Sequence, residues 1–440
     1  MSLERLTQKI SNQSATIAQI GLGYVGLPVA CMFAQAGFRV VGVDVVAERV
    51  AMLSRGENPI EGIEPNLSDL IKEVISVGQL HVTTEMNAVS EADVVIIAVQ
   101  TPVDDSDHKP RYHHMRSALA ALGQVMKMGT LVIVESTLAP TTLQNIIIPA
   151  LEEASGKVAG QDFYVGHCPE RVMPGRLLHN IRTMDRVAGA QNPEVGAVMV
   201  ALYKHIVQGT LDVTDLLTAE LVKTTENAYR DVQIAFANEM ARICDEVGGD
   251  VWRLRELVNK SPGRNMLLPG AGVGGHCIPK DPYLLISNVT TDTPLIRAAR
   301  QVNRGMPSFV LKMVERSLQA KGHELNGAIV AVLGYSYLEN SDDTRDTPSQ
   351  YFIEQAQERG ATVKIHDPFV PNYKGNIEEV VRGADAIVIL VAHNEYKTLN
   401  WANLVSTLRT PIIVDARRVL PHDLHIEGAR IDIIGIGQHG

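Results

Sequence analysis

Cys277 is the side chain in this sequence best suited to covalent chemistry. It lies in the segment GAGVGGHCIPKDP, residues 270 to 282, among glycines and prolines. Because Pro279 and Pro282 cannot continue a helix, we expect a loop here. Lys280 is close in sequence, and a nearby cation favours the thiolate that acts as a nucleophile. The alternative is a loop thiol with no catalytic role.

Three other segments carry polar side chains that could assist such a nucleophile. Lys223 and Asn227 are four residues apart in a helical pattern, so both project from one face, where they could stabilise an oxyanion or form a solvated surface pair. Glu170 lies in a proline-flanked segment and could serve as a base or as a salt-bridge partner. Thr137 follows a buried strand, at the edge where parallel sheets bind ligands.

The spacing G-x-G-x-x-G occurs first as GLGYVG, residues 21 to 26. This copy follows a strand and opens a helix, where free N–H groups and the helix dipole favour a pyrophosphate. Asp44 ends the next strand and can accept hydrogen bonds from the adenosine ribose. A carboxylate there favours NAD over NADP, because a 2′-phosphate would meet a negative charge.

The second copy, Gly270, Gly272 and Gly275, has a different context. No strand precedes it, and prolines follow it, so we do not expect a second dinucleotide site. We expect its glycines to let a ligand approach the backbone closely.

The elements that must position these residues alternate between strand and helix at both ends of the chain. This alternation predicts a parallel sheet with helices on both faces near the N-terminus, and again from about residue 323 onward. The region from about 212 to 300 is helical and strand-poor. One long helix is expected to begin at Thr214 or Asp215 and to be stopped by Gly248 and Gly249.

The fold class that follows is α/β, with two doubly wound Rossmann-like domains joined by a helical domain with a long central helix. We expect domains at residues 1–211, 212–322 and 323–440, the first of which binds NAD. The long helix has a broad apolar face, which favours a homodimer; packing within one chain is the alternative.

Composition excludes several classes of protein. The 440 residues carry a formal net charge of −10, which argues against a nucleic-acid partner. The N-terminus does not resemble a secretory signal, and the longest apolar runs are strand-sized, so we expect a cytoplasmic protein without a membrane span. The four cysteines show no C-x-x-C spacing and predict neither a metal site nor disulfides; Cys31 and Cys244 are expected to be buried.

Seven motifs in order resemble those of the UDP-glucose/GDP-mannose dehydrogenase family: GLGYVG, AVQTP, EST, PER, ELVKTTEN, GVGGHCIPKDP and DDTRDTPS. They are spread over nearly the whole chain. The resemblance implies an NAD-dependent, four-electron oxidation of a nucleotide sugar at C6, from alcohol to carboxylate.

The resemblance also implies roles for individual residues. Cys277 would form a thiohemiacetal that is oxidised to a thioester, and Glu170 would be the base for its hydrolysis. Lys223 and Asn227 would steady the oxyanions. Asp281 and Thr137 would order a water or act in the first proton transfer. Lys280 is either structural or catalytic.

Ligand contacts carry over from the same motifs. Those expected for NAD are Gly21, Gly23, Tyr24, Val25, Gly26, Asp44, Arg49, Thr101, Thr137 and Arg345. Those expected for the UDP-sugar are Glu170, Arg171, Val172, Lys223, Asn227, Arg264, Gly274, His276, Tyr337 and Arg417. Arg264 could act from the other subunit of a dimer.

One departure from the family concerns Leu338, which stands where the family usually has a lysine. Either Arg417 or Arg418 compensates for this cation, or substrate affinity is reduced. His276 before the cysteine, and the segment PERVMPG, resemble members that act on 2-acetamido sugars. We therefore expect UDP-N-acetyl-D-mannosamine, with UDP-GlcNAc, UDP-GalNAc and UDP-glucose as alternatives.

Two other classes of protein are considered. A two-electron hydroxyacid dehydrogenase also joins a dinucleotide domain to a helical one, but would leave Cys277 and the C-terminal domain unexplained. A non-catalytic nucleotide-sugar sensor would not need Cys277, Lys223 and Asn227 together.

Overall fold

A computed structural model of the chain describes residues 2–60, 62, 64–104, 106–171, 175–421 and 424–437. It divides into two units. Unit 1 comprises residues 1–226 and 283–290, and unit 2 comprises residues 227–282 and 291–440. The predicted α/β architecture, with parallel sheets and a long helix, is confirmed.

Unit 1 is built on an eight-stranded sheet. Its strands are β1 (Thr16–Ile20), β2 (Arg39–Val43), β3 (Leu80–Thr83), β4 (Val94–Ile97), β5 (Leu131–Val134), β6 (Tyr164–His167), β7 (Arg186–Ala190) and β8 (Leu211–Asp215). The spatial order is β3-β2-β1-β4-β5-β6-β7-β8, and only the β6–β7 pairing is antiparallel. The order reverses between β1 and β4, the place where open parallel sheets bind ligands.

Helices cover both faces of this sheet. They are α1 (Leu3–Ser11), α2 (Gly26–Gln35), α3 (Ala47–Ser54), α4 (Leu67–Ser76), α5 (His113–Val125), α6 (Ile148–Ser155), α7 (Leu177–Thr183) and α8 (Pro193–Tyr203). The central strand β4 is buried along its whole length, and a separate apolar core forms on each face. Such double burial explains the continuous Val/Ile runs.

The long helix α9 runs from Leu216 to Val247, as predicted. The Asp215 carboxylate accepts a hydrogen bond from the Thr218 N–H (2.9 Å), and Gly248 adopts φ +79° just beyond the last turn. The expectation that the region after 212 lacks strands is wrong at its start, because β8 occupies Leu211–Asp215. This strand lies at the sheet edge and is largely exposed, so its side chains show little apolar alternation.

Unit 2 contains a five-stranded parallel sheet in the order β10-β9-β11-β12-β13. The strands are β9 (Ile329–Leu333), β10 (Thr362–His366), β11 (Ala386–Ile389), β12 (Ile412–Asp415) and β13 (Arg430–Ile433). The helices that complete the fold are α10 (Val251–Val258), α11 (Cys277–Ile286), α12 (Pro294–Ala320), α13 (Pro348–Glu358), α14 (Ile377–Val381) and α15 (Trp401–Ser406). The strand order of this five-stranded sheet is the second common arrangement of doubly wound domains. In the described part of the chain, no helix combines the length and hydropathy that a membrane span requires.

Candidate active site

The first glycine loop, residues 21 to 26, connects β1 to α2 in unit 1. Gly21 has φ +90°, and a Cβ on Gly26 would collide with the Gly21 carbonyl oxygen. A Cβ on Gly23, by contrast, would meet no atom within 4 Å. The outer glycines therefore close the turn, while Gly23 leaves the start of α2 open to a phosphate group.

The buried Asp44 carboxylate lies beside this loop, at the end of β2. One oxygen accepts from the Leu22 N–H (2.8 Å) and the other from the Val46 N–H (2.9 Å). Arg49 donates to both oxygens, at 3.0 and 2.9 Å. The acid is thus held at the carboxyl edge of the sheet, where doubly wound domains bind the adenosine ribose. Together with the open glycine turn, this arrangement fits NAD.

Two further residues expected to contact NAD flank the start of α2. Val25 is the residue that precedes the helix. The Tyr24 hydroxyl donates to Glu64, whose carboxylate also accepts the Gly175 N–H (2.7 Å) and the Leu177 N–H (3.1 Å). Glu64 was not expected to matter, and it ties the glycine loop to the segment that follows PER.

Thr101 and Thr137 come together at the ends of β4 and β5. The Thr101 hydroxyl donates to the Thr137 carbonyl oxygen (2.8 Å). Ser136 fixes the same edge, because its hydroxyl accepts the Val99 N–H (3.0 Å) and donates to the Val99 carbonyl (2.7 Å). Both threonines therefore lie at the carboxyl edge of the sheet, which is the position that the sequence predicts for Thr137.

Glu170 is buried and forms an ion pair with Arg186, a charged residue that the sequence did not indicate. Arg186, at the start of β7, donates to one Glu170 oxygen, and the Arg171 N–H donates to the other (2.7 Å). The Arg171 guanidinium lies 3.1 Å from Glu226 and donates to the Asp185 carbonyl. Val172, also expected near the substrate, lies outside the described residues.

Helix α9 positions Lys223 and Asn227 one turn apart. Lys223 is buried. Glu220, one turn earlier, is also buried and accepts the Thr141 and Leu143 N–H groups, each at 2.7 Å. Burial raises the pKa of Glu220 to about 7, although these hydrogen bonds oppose the shift. Nothing in the sequence singled out Glu220, because its partners lie in a distant segment.

Cys277 is exposed and is the first residue of α11 in unit 2. The expectation that a loop surrounds it is therefore wrong on its C-terminal side. Pro279 falls in the first turn, where the helix leaves N–H groups unpaired in any case, and only Pro282 lies inside the helix. The position is chemically favourable, because the positive end of a helix dipole stabilises a thiolate.

Asn227 and Asp281, both expected to be catalytic, are brought together in unit 2. The Asn227 amide donates to the Asp281 carboxylate at 2.5 Å. Asp281 is fully buried, and Lys280 Nζ lies 3.9 Å from its second oxygen. The contact fixes which way the Asn227 amide faces, and it connects α9 to the cysteine helix.

The glycines that precede Cys277 lie in close contact with side chains from other segments of unit 2. A Cβ on Gly274 would lie 2.6 Å from Tyr337 Cβ, and one on Gly275 would lie 2.8 Å from the Tyr337 ring. Similarly, a Cβ on Gly270 would lie 2.6 Å from the Arg417 guanidinium. Side chains of the same unit therefore occupy the space on the Cβ side of these glycines, which corrects the expectation that this space is left for a ligand.

His276 precedes Cys277 and lies close to two cations, Lys280 and Arg345. Desolvation of the ring by neighbouring atoms, together with the charges of Lys280 and Arg345, lowers the pKa of His276 to about 4. Its Nε2 atom lies 3.3 Å from Lys280 Nζ. The Arg345 carbonyl accepts the Gly275 N–H (2.8 Å), and its guanidinium binds Asp343. His276 is therefore neutral near pH 7, and Arg345 belongs to the surroundings of the cysteine.

Three arginines of unit 2 were expected to contact the UDP-sugar or to compensate for Leu338. Burial lowers the pKa of Arg417, and its backbone N–H donates to Asp415 (2.9 Å) at the end of β12. Arg418 stacks over Trp252, with 5.3 Å from its guanidinium carbon to the ring centre. Arg264 is exposed and donates only to the Pro262 carbonyl among the contacts described. Leu338 is partly exposed.

Three family models match consecutive parts of the chain. The NAD-binding domain of the UDP-glucose/GDP-mannose dehydrogenase family matches residues 15–207, its central domain residues 217–305, and its UDP-binding domain residues 331–422. The chain belongs to this family. It is an NAD-dependent UDP-sugar dehydrogenase, so the predicted family, cofactor and type of reaction are confirmed.

Known relatives of this dehydrogenase match it over nearly their full length. The UDP-N-acetyl-D-mannosamine dehydrogenase of Pyrococcus horikoshii is 41% identical over 404 residues, covering 92% of this chain and 96% of the relative. A solved structure of a UDP-D-ManNAc dehydrogenase from the same organism is 40% identical, has a TM-score of 0.91 and covers 96% of this chain and 99% of that one. An NDP-N-acetyl-D-galactosaminuronic acid dehydrogenase from Methanosarcina mazei is 37% identical, with a TM-score of 0.88 and coverage of 99% and 98%.

Proposed function

We propose that this dehydrogenase oxidises UDP-N-acetyl-D-mannosamine to UDP-N-acetyl-D-mannosaminuronate. The observation that carries the proposal is the segment Gly-Gly-His-Cys at residues 274 to 277, in which His276 is neutral and adjoins the exposed thiol. The P. horikoshii relative is described as acting on the same sugar. A neutral imidazole can donate to, or accept from, a 2-acetamido group.

The reaction removes four electrons, and NAD, when bound, accepts them as two hydrides. The Cys277 sulfur adds to the C6 aldehyde carbon, and the resulting thiohemiacetal keeps one hydrogen on that carbon for the second oxidation. The product of that oxidation is a thioester. Water then forms a C–O bond as the C–S bond breaks, and the electron pair returns to the sulfur.

The remaining residues have roles in binding and proton transfer. Lys223 and Asn227 stabilise the oxyanions that form at C6. Asp281 and Thr137 order a water or take part in the first proton transfer, and Glu170 accepts the proton of the hydrolytic water. Gly21, Gly23, Gly26 and Asp44 hold NAD. These assignments are supported by the family motifs and by the contact between Asn227 and Asp281.

We also propose that the uridine diphosphate is bound by unit 2, in the neighbourhood of Tyr337 and Arg417. Leu338 supplies no cation there, and Arg417 is the compensating group. In support, Arg417 lies against Gly270 and so adjoins the loop that leads to Cys277. Residues 1–211, 212–322 and 323–440 would then form NAD-binding, dimerisation and UDP-binding domains, consistent with the ranges of the three family models.

The choice of sugar is tested by comparing kcat/KM for UDP-ManNAc, UDP-GlcNAc, UDP-GalNAc and UDP-glucose. We expect UDP-ManNAc to be preferred by at least about 100-fold over UDP-glucose, because the hydrogen-bond partner of the acetamido group is left unpaired without it. The M. mazei relative makes galactosaminuronic acid derivatives the main alternative. A preference for UDP-GalNAc or UDP-GlcNAc would overturn the assignment of the sugar but not of the reaction.

We propose that the enzyme is a homodimer formed through α9. Exposed apolar side chains recur along this helix at Leu217, Leu221, Tyr229, Phe236, Ile243 and Val247. Tyr229, Phe236 and Ile243 are spaced by seven residues, which places them on one stripe. An apolar stripe on a soluble surface is typical of a contact with a second subunit.

Phe236→Glu should therefore convert the dimer to a monomer, because it places a charge in an apolar contact. Light scattering after size-exclusion chromatography measures the mass. Val77→Glu is the control, since Val77 is also an exposed apolar residue but belongs to the end of α4 and not to α9. The dimer proposal fails if the wild type is monomeric or if F236E leaves the mass unchanged.

The proposed compartment is the cytoplasm. Cys277 is exposed and must remain a free thiol to act, which a reducing compartment ensures.

A further inference from the structure

A buried cluster in unit 1 surrounds Glu170, beyond the residues that the reaction needs directly. Arg186 on β7 has both Glu170 and Glu135 as neighbours. Its guanidinium binds Glu170 and lies 3.6 Å from Glu135, which follows β5. All three side chains are almost inaccessible to solvent. Two carboxylates therefore share one cation in a region with little water.

The second carboxylate has its own support. The Tyr203 hydroxyl, at the end of α8, donates to Glu135 at 2.8 Å, and the Tyr203 ring lies under the Arg186 guanidinium at 5.3 Å. The other Glu135 oxygen has no hydrogen-bond partner among the described residues. A site of this kind can hold a proton or a negative charge, because one oxygen is not committed to a donor.

We propose that Arg186 and Glu135 are positioning residues for Glu170, with Arg186 fixing its carboxylate and the charge of Glu135 setting how strongly it accepts a proton. This inference rests on the proposed role of Glu170 in hydrolysis of the Cys277 thioester. In that step the water oxygen bonds to the carbonyl carbon, the proton passes to Glu170, and the thiolate leaves.

The charge state of Glu135 changes near neutral pH. Burial, with a contribution from the nearby Glu170 charge, raises the pKa of Glu135 to about 7, although Arg186 opposes the shift. The coupling is reciprocal: when Glu135 ionises, a second negative charge faces Glu170 and strengthens it as a proton acceptor. Hydrolysis should therefore be faster above pH 7 than below it.

The other groups facing the cluster do not titrate near neutrality. Burial raises the pKa of the Cys168 thiol to about 12 and lowers that of His167, whose ring bonds to the Val134 carbonyl, to about 4. Burial also raises the pKa of the Tyr203 hydroxyl well above its usual value. Elsewhere in unit 1, burial also raises the pKa of Glu220 to about 7. Ionisation of Glu220 would therefore produce an inflection of the hydrolysis rate at the same pH.

The test is the rate of thioester hydrolysis between about pH 6 and about pH 8, with UDP-ManNAc and NAD as the reactants. Acid quenching and intact-protein mass spectrometry follow the adduct on Cys277. For the wild type we expect a sigmoidal rise with its midpoint near pH 7. E135Q should stay at the slow, low-pH level throughout, because glutamine mimics the protonated acid.

Tyr203→Phe provides a second variant that keeps the carboxylate. It removes a hydrogen bond that favours ionised Glu135, so the midpoint should move to higher pH. Glu220→Gln is the matched control and should retain the wild-type midpoint. The proposal is overturned if E135Q keeps the rise, or if E220Q rather than E135Q removes it.

Failure of the underlying role can be told apart from failure of this inference. If Glu170→Gln hydrolyses the thioester as fast as the wild type, Glu170 is not the base, and the inference falls with it. If E170Q accumulates the thioester while E135Q follows the wild-type profile, only the role of Glu135 is overturned.

Discussion

Replacing Cys277 with alanine is expected to reduce formation of the uronic acid by at least about 1,000-fold, in line with the loss of other covalent nucleophiles. Without the Cys277 sulfur, no thiohemiacetal forms, and the aldehyde intermediate is not bound covalently to the enzyme. Chromatographic measurement of the uronic acid gives the rate, and calorimetric titration should show that NAD still binds.

Cys244→Ala is the matched control for this variant. Cys244 is a buried cysteine of α9, and its removal costs packing but no chemistry. We expect C244A to produce the uronic acid at a rate within a few-fold of the wild type. Uronic acid formation by C277A at a comparable rate would mean that the route does not pass through the thiol.

Asp44→Ala is expected to raise the KM for NAD by about 10- to 100-fold, which corresponds to losing one or two hydrogen bonds to a charged group. The carboxylate holds the Leu22 N–H and would accept the ribose hydroxyls. Removing it also frees Arg49, which now pairs with Asp44, to meet a 2′-phosphate. The preference for NAD over NADP should therefore fall.

A double variant separates these two effects. D44A combined with Arg49→Gln should keep the high KM for NAD but lose the gain with NADP, because the freed cation is gone. Initial rates at varied NAD and NADP give both quantities. An unchanged KM and cofactor preference in D44A would place the adenosine ribose somewhere other than beside β2.

Local signals in the sequence were enough to predict the framework. Buried Val/Ile runs and the glycine turn at 21 to 26 identified the parallel sheet of unit 1, and Asp215 and Gly248 marked the ends of α9 correctly. These features are set by neighbours within a few residues. The same holds for Lys223 and Asn227, whose spacing fixes a common helix face.

The errors arose where local rules compete. Pro279 and Pro282 argued against a helix, yet a proline in the first turn costs no hydrogen bond, so α11 begins at Cys277. The glycines before it suggested room for a ligand, whereas Tyr337 and Arg417 pack against them. Such packing joins segments far apart in sequence, and no spacing rule reports it.

The charged cluster around Glu170 could not be predicted from the sequence for the same reason. Glu135, Glu170 and Arg186 lie near the ends of β5, β6 and β7, and they meet because those strands are neighbours in the sheet. One sign was visible in the sequence: Glu135 directly follows an uninterrupted apolar strand. A carboxylate in that position is usually paired, which makes it worth asking where its partner lies.

The central claim is that one enzyme carries out two successive oxidations through a cysteine-bound intermediate. The most direct test is to count NADH formed against UDP-sugar consumed, using the best substrate of the four and measuring the product by mass spectrometry. The account predicts two NADH and one uronic acid for each UDP-sugar. One NADH for each UDP-sugar, with an aldehyde or ketone as the product, would contradict it.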